Sequence, residues 1–276
     1  MVWAASAGGA LRQHWPEYLI EAFGLGAIMF VSVIAVAALE VPLVPALGAL
    51  DPVARRALAG FCIAGTVVAL VYSRWGRQSG AHFNPSVTLT FLLLGRVRPW
   101  DAAFYIASQV AGGLAGIHVA RLLLGEIVAR PPVRWIVTVP GHAGVGSAFA
   151  AELVCAFLLM SVVLVLGGVP RLAKLTGLAA GLLIFSYILF ESPISGFSLN
   201  PARSFASALP AGVWMAFWIY LLAPPLGMLL AALLNQQAHL PCMACAKLVH
   251  DDGVRCIHCG FVPHRHPAPH SMLPAG

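Results

Sequence analysis

Two short peptides carry most of the chemistry that this sequence offers. Ser79-Gly80-Ala81-His82-Phe83-Asn84-Pro85-Ser86 and Ser195-Gly196-Phe197-Ser198-Leu199-Asn200-Pro201-Ala202 repeat Ser, Gly, Asn and Pro at one constant offset. Proline suits the first turn of a helix, where its missing N–H leaves nothing unpaired, and the asparagine before it can cap that turn. Each motif therefore opens a short apolar helix. A helix from Asn84 to Leu94 is about 16 Å long at ~1.5 Å per residue, roughly half a hydrocarbon core. Two such half-helices entering from opposite faces meet near the midplane, with their N-termini aimed at one spot. Each N-terminus carries about half a positive charge from its unpaired N–H groups. A cation is repelled there. A water or hydroxyl oxygen is welcomed, and the Asn84 and Asn200 amides can donate to it. A molecule held this way turns its own hydrogens outward, which breaks a proton wire.

Arg203 follows the second motif. An arginine at membrane depth is costly and so is a functional candidate. It repels cations and donates to a passing solute; the plainer reading is an arginine snorkelling to the surface.

A different chemistry sits at the C-terminus. Cys242-Met-Ala-Cys245 and Cys256-Ile-His-Cys259 give two CxxC pairs separated by ten residues. Four thiolates, Cys242, Cys245, Cys256 and Cys259, form the ligand set of a tetrahedral structural zinc site, and zinc folds a segment too small to build a core. Gly260 suits the tight turn after the second pair. Disulfide pairing is the other reading, and it needs an oxidising compartment. The segment looks like a zinc ribbon that serves to dock, to gate in response to metal, or to stabilise the tail. Cys62 and Cys155 lie in apolar spans and read as packing residues. The last residues, rich in Pro and His, are predicted to be disordered, with His264, His266 and His270 as weak metal ligands.

The elements that must position these groups follow from composition. Of 276 residues, 60% are hydrophobic and 9% charged, against about a quarter charged in an ordinary soluble domain. Lipid is the fitting solvent. Charge-free stretches such as Ala22 to Leu39 and Leu153 to Pro170 approach the ~20 residues needed to cross a bilayer. Six spans are predicted at 17–39, 55–73, 99–123, 147–167, 172–190 and 213–235. The first reads as a retained span rather than a cleaved signal peptide. The net charge of +6 lies mostly in short loops, where it sets topology and does not point to nucleic acid. With the N-terminus in the cytoplasm, Arg12, Arg74, Arg77, Arg96, Arg98, Arg171 and Lys174 lie inside, against Arg55, Arg56, Arg121, Arg130 and Arg134 outside. Lys247, Arg255 and Arg265 of the tail add to the inside. Each motif follows two spans, and each half opens with a glutamate, Glu21 or Glu152. Three crossings per half is odd, so the second half is inverted, an architecture known from transporters.

The doubled motif, the six spans, the matched glutamates and Arg203 together resemble the major intrinsic protein family of aquaporins and glycerol facilitators, over roughly Glu17 to Asn235. The resemblance implies an all-α membrane fold with six transmembrane helices and two re-entrant half-helices. It implies a passive channel, not an enzyme, for water and small neutral solutes, assembled as a homotetramer in the plasma (inner) membrane with both termini cytoplasmic. Asn84, Pro85 and Ser86 then pair with Asn200, Pro201 and Ala202 in the pore. Ser86 departs from the family's usual alanine, either as a tolerated swap or as a change that admits larger solutes. Matching the family's outer constriction to this sequence gives Ala64, Ile188, Phe197 and Arg203. One donor and three apolar walls suit glycerol, urea or a metalloid hydroxide, whereas Ser204 after the arginine is aquaporin-like. Glu21 and Glu152 are expected to brace the re-entrant loops, proton relay being the rival reading. His82 is expected to brace the first loop or to act as a pH-sensitive gate. The expected divisions are a channel domain over 1–238, a zinc-ribbon-like module over 239–263 and a disordered tail over 264–276.

Other classes fit less well. No GxSxG or HExxH motif and no paired carboxylates suggest an intramembrane enzyme. An ion- or proton-coupled carrier needs acids at mid-depth, and the only candidates are the two loop glutamates. A metal transporter is suggested by the tail, but thiolates outside the membrane cannot form a conduction path. A channel gated by zinc at the tail is the remaining alternative.

Overall fold

The structure is a computed structural model that describes residues 6–41, 47, 49–243, 245–251 and 253–263. The predicted disordered segment 264–276, with His264, His266 and His270, lies outside the described residues. Among the described residues six helices are long and apolar enough to cross a membrane. With the two half-helices they form eight principal elements: α1 (Ala7–Glu40), α2 (Pro52–Tyr72), α3 (Pro85–Leu93), α4 (Pro99–Leu124), α5 (Gly144–Gly168), α6 (Thr176–Phe190), α7 (Pro201–Ala211) and α8 (Phe217–Gln237). The chain is an integral membrane protein, and large apolar side chains such as Phe61, Leu122 and Phe190 face outward along the bundle.

Local chemistry sets the helix ends. The Asp51 carboxylate accepts from the Val53 and Ala54 N–H groups, with Pro52 in the first turn. α1 begins about ten residues before the expected start at 17, because Ser6 caps it by accepting from the Gly9 N–H. Hydrophobicity marked only its lipid-covered part; the added turns carry the polar Arg12, Gln13 and His14. α8 starts later than the expected 213, because Gly212 and Ala216 adopt left-handed backbone between α7 and α8.

The inverted repeat is visible in the packing. α1 pairs with α4 and α5 with α8, the first and third spans of each half, while α2 meets α6 across the middle. Each half-helix packs against the third span of the other half, α3 on α8 and α7 on α4. Neither half closes alone.

Backbone touches backbone at the α1–α4 crossing. A Cβ added at Gly112 would lie 1.9 Å from the Ala22 carbonyl oxygen, and one at Gly116 would lie 2.0 Å from that of Gly26. In the second half a Cβ at Gly227 would lie 2.2 Å from the Leu153 carbonyl oxygen. No rotamer relieves a clash with a carbonyl. Gly112→Val is expected to destabilise the fold by about 3 kcal/mol, the upper end for overpacking. Lower thermal stability of the purified protein in detergent would check this, with Gly8→Val, where nothing lies within 4 Å, as the neutral control.

Candidate functional site

The two motifs meet as capped helix ends. The Asn84 Oδ1 accepts from the Ser86 N–H at 2.8 Å, and the Asn200 Oδ1 accepts from the N–H groups of Ala202 and Arg203 at 3.1 and 3.2 Å. Pro85 and Pro201 occupy the first turns. The amide nitrogens cross over: Asn84 Nδ2 donates to the Leu199 carbonyl at 2.7 Å, and Asn200 Nδ2 donates to the Phe83 carbonyl at 2.8 Å. This fixes the chemistry presented at the centre. Both side-chain oxygens are spent on capping, so what remains on each asparagine is one N–H donor.

The loops leading into these caps are matched. Gly80 and Gly196 take left-handed backbone (φ 104° and 85°), as do Ala81, Phe83, Phe197 and Leu199. Non-glycine residues in that region cost ~1 kcal/mol or more each, so something must hold them. Two glutamates do. Glu21 accepts from the Ser79 hydroxyl (2.7 Å), the His82 N–H (3.1 Å), the Phe83 N–H (2.6 Å) and the Gln109 amide (2.8 Å). Glu152 accepts from the Ser195 hydroxyl and from the Ser198 and Leu199 N–H groups, each at 2.7 Å. Both acids are fully buried.

A second matched pair escaped the sequence reading. The Tyr105 hydroxyl donates to the Ser79 carbonyl at 2.7 Å, and the Tyr220 hydroxyl donates to the Ser195 carbonyl. Each tyrosine lies early in the third span of its half, and that equivalent placement was the available signal.

One cavity of about 130 Å³ runs through the junction. Asn84 and Asn200 line it, as do Phe197 and Arg203 on the side of the α4–α5 connection and His82 and Leu248 on the side of the tail. Arg203 Nη1 donates to the Ile136 carbonyl, in the α4–α5 connection opposite the chain termini, at 2.9 Å. The wall between is apolar, with Leu25, Ile28, Val87 and Met160 among its residues. Two of the four expected filter residues do not line this cavity. From α2 the lining is Ile63, Val67 and Val71, four residues apart, and from α6 it is Ala180 and Ile184. Ala64 is turned about 100° from that stripe, and α2 packs closely on α6 beside it, where a Cβ at Gly181 would meet Val68 Cγ2 at 2.2 Å. Ile188 lies one turn beyond Ile184, with its Cγ2 against Gly60.

Ser86 is fully buried and off the cavity wall, and its hydroxyl has no hydrogen-bond partner among the described residues. Its place favours the tolerated-swap reading. Ser86→Ala is expected to leave water and glycerol rates unchanged and to stabilise the protein by about 1 kcal/mol, since it removes an unsatisfied buried hydroxyl. Stopped-flow rates and a melting curve check both parts. Ser204 also faces away from the cavity, bonded to Thr138 (2.7 Å) and Ser198 (2.6 Å). His82 is buried, with Nδ1 3.1 Å from the Thr88 hydroxyl and Nε2 2.9 Å from the Ala246 carbonyl.

In the tail the ligating atoms of Cys245, His250, Cys256 and Cys259 all lie within 4.8 Å of one another, so this cluster could hold a metal ion. Cys242, expected as a ligand, is not among them. It is drawn against the end of α5, where a Cβ at Gly168 would touch its backbone nitrogen at 2.5 Å, and His250 stands in its place. All the cysteines are free. Cys245 and Cys256 sulfurs are 3.3 Å apart, and Cys259 Sγ is 3.5 Å from His250 Nε2. A tetrahedral ion with ~2.3 Å metal–sulfur bonds has edges of about 3.8 Å, so the donors fit. The thiol hydrogen bond from Cys245 holds Cys256 below the usual thiol range, and Cys245 is pushed up in return.

Six spans, two facing half-helices and a cavity through their junction define a membrane protein built on an inverted repeat with re-entrant loops. The family model described as "Major intrinsic protein" matches residues 11–235, and the chain belongs to that family. Among its relatives, "Putative aquaporin NIP4-1" of Arabidopsis thaliana is 37% identical over 62% of this chain and 59% of its own length. "Aquaporin NIP1-3" of Oryza sativa subsp. japonica is 39% identical over 61% of this chain and 58% of its own. The chain thus spans about 59% of the length of the first of these curated relatives. The aquaglyceroporin structure from Plasmodium falciparum shares the fold, with a TM-score of 0.69 at 20% identity, covering 83% of this chain and 98% of that one.

Proposed function

We propose that the protein is a channel for passive permeation of water and small uncharged solutes, excluding protons and ions. The observation that carries this is the pair of asparagines in the cavity, each with its oxygen spent and one N–H left over. Two donors and two positive helix ends hold a neutral oxygen and reject a cation. The relatives named as aquaporins favour the same reading. Glu21, Glu152 and His82 act as braces. Both glutamates are taken up by donors of the loops they hold, which leaves the proton-relay reading unsupported.

Phe197 and Arg203 form the narrow point, with Ile188 and Ala64 beside rather than on the cavity wall. One guanidinium and apolar surroundings suit a molecule with a hydroxyl face and an apolar face, such as glycerol, urea or a metalloid hydroxide. The tail is a separate module over 239–263 that takes zinc, with His250 replacing Cys242; three thiolates and an imidazole are a soft, tetrahedral donor set. The assembly is a homotetramer in the plasma membrane, with both termini cytoplasmic.

The test is stopped-flow light scattering on liposomes carrying the purified protein, challenged with sucrose and then glycerol. With the C-terminal module released by a zinc chelator, fast shrinkage in sucrose with fast reswelling in glycerol is expected. Shrinkage without reswelling would overturn the solute reading, and neither response, with the tail released, would overturn the channel.

A further inference from the structure

We propose that the C-terminal module is a metal-latched stopper seated in the mouth of the pore at the terminal end of the bundle. This rests on the channel reading above. The tail does not hang from α8. It crosses the mouth, held at both sides. Cys242 and Met243 pack on Gly168 and Gly167 at the end of α5. On the other side Arg255 pairs with the buried Glu17 of α1 at 3.0 Å and donates to the Gln13 carbonyl at 3.2 Å.

Between these anchors the chain enters the first re-entrant loop. The Leu248 N–H donates to the Gly80 carbonyl at 3.1 Å, and the Ala246 carbonyl accepts from His82. Lys247 is 1% exposed, and its ammonium donates to the Arg77 and Arg255 carbonyls at 2.8 and 3.0 Å. Arg77 also pairs with Asp251. His258 stacks on His82 with ring centroids 5.7 Å apart and bonds the Ser79 carbonyl at 3.1 Å. Leu248 itself is 8% exposed and forms part of the cavity wall. An apolar side chain in this position bars water from the exit.

The metal cluster lies where it controls that insertion. Cys245 and His250 bracket the four residues that enter the mouth, and Cys256 and Cys259 bracket Ile257 and His258, which press on Tyr105 and His82. One zinc-class ion therefore ties the inserted segment to the part of the tail resting on the loop. Without it, a segment with hardly any core of its own loses the constraint that holds Leu248 in place.

The test uses the full-length protein in liposomes. Metal analysis is expected to find one zinc per chain. A membrane-permeant zinc chelator is expected to raise osmotic water permeability roughly tenfold, with reversal on adding zinc. Cys256→Ser with Cys259→Ser should be fast without chelator and indifferent to it. Leu248→Ala, which keeps every ligand, should be fast while still binding zinc. Absence of zinc binding overturns the latch. Equal, fast permeability in intact, chelated and Leu248→Ala protein overturns the stopper and leaves the channel standing. Permeability no higher than protein-free vesicles in all of them overturns the channel and the stopper together.

Discussion

Glu152→Leu is expected to abolish permeation and to leave little folded protein. The side chain is fully buried, and its two oxygens satisfy the Ser195 hydroxyl and the N–H groups of Ser198 and Leu199. Leucine fills similar space but accepts nothing. Three buried donors are then orphaned at ~1–3 kcal/mol each, or about 5 kcal/mol together, comparable with the ~5–15 kcal/mol that holds a whole domain. The left-handed Phe197 and Leu199 lose the anchor that holds their backbone. Glu21→Leu should behave the same way, with a fourth orphan in Gln109. The check is the yield of monodisperse protein after detergent extraction, followed by stopped-flow on whatever survives. A variant that purifies and conducts normally would remove the bracing role.

The second large effect belongs to Arg203. Arg203→Val is expected to speed glycerol and urea roughly tenfold and to admit cations and protons, because one change widens the mouth and removes its fixed positive charge. Stability should fall only modestly. Among the described residues the guanidinium donates one hydrogen bond, to the Ile136 carbonyl, whereas the half-helix keeps its cap through Asn200 and the backbone N–H at 203. Glycerol reswelling and a pH-sensitive dye inside the vesicles read the two parts. Unchanged glycerol flux would place the narrow point elsewhere, with Ile63 and Ile184 as the first alternatives.

The membrane-spanning fold was legible in the sequence because its constraints are local or symmetric. Asn-Pro caps, apolar spans and matched glutamates each follow from the bilayer, which allows no unpaired backbone in lipid. Of the expected filter residues, Phe197 and Arg203 line the cavity and Ala64 and Ile188 do not. Phe197 and Arg203 sit within three residues of Asn200, so a motif carries them, whereas Ala64 and Ile188 depend on the rotation of long helices about their axes. A small turn of α2 decides between Ala64 and Ile63, and no local residue reports it. The tail failed in a different way. CxxC spacing promised four cysteines, but Cys242 is captured by the glycine-smoothed end of α5, a contact made by residues about 75 positions upstream. His250 had no spacing rule to announce it. The docking of Leu248 on Gly80 was invisible for the same reason, since one hydrogen bond between distant segments leaves no period to read.

The crossed asparagine bonds also bear on how the chain is made. Asn84 is synthesised 115 residues before Leu199, the carbonyl that its amide requires, and Phe83 waits 117 residues for Asn200. The first re-entrant loop must therefore leave the ribosome and reach the bilayer with its centre unpaired, hydrated by water it later gives up. The junction at the middle of the membrane closes only after the second motif has been made. A nascent chain stalled after the third span would hold its half-helix open, and chaperoning or degradation of such fragments would act on that one unfinished joint.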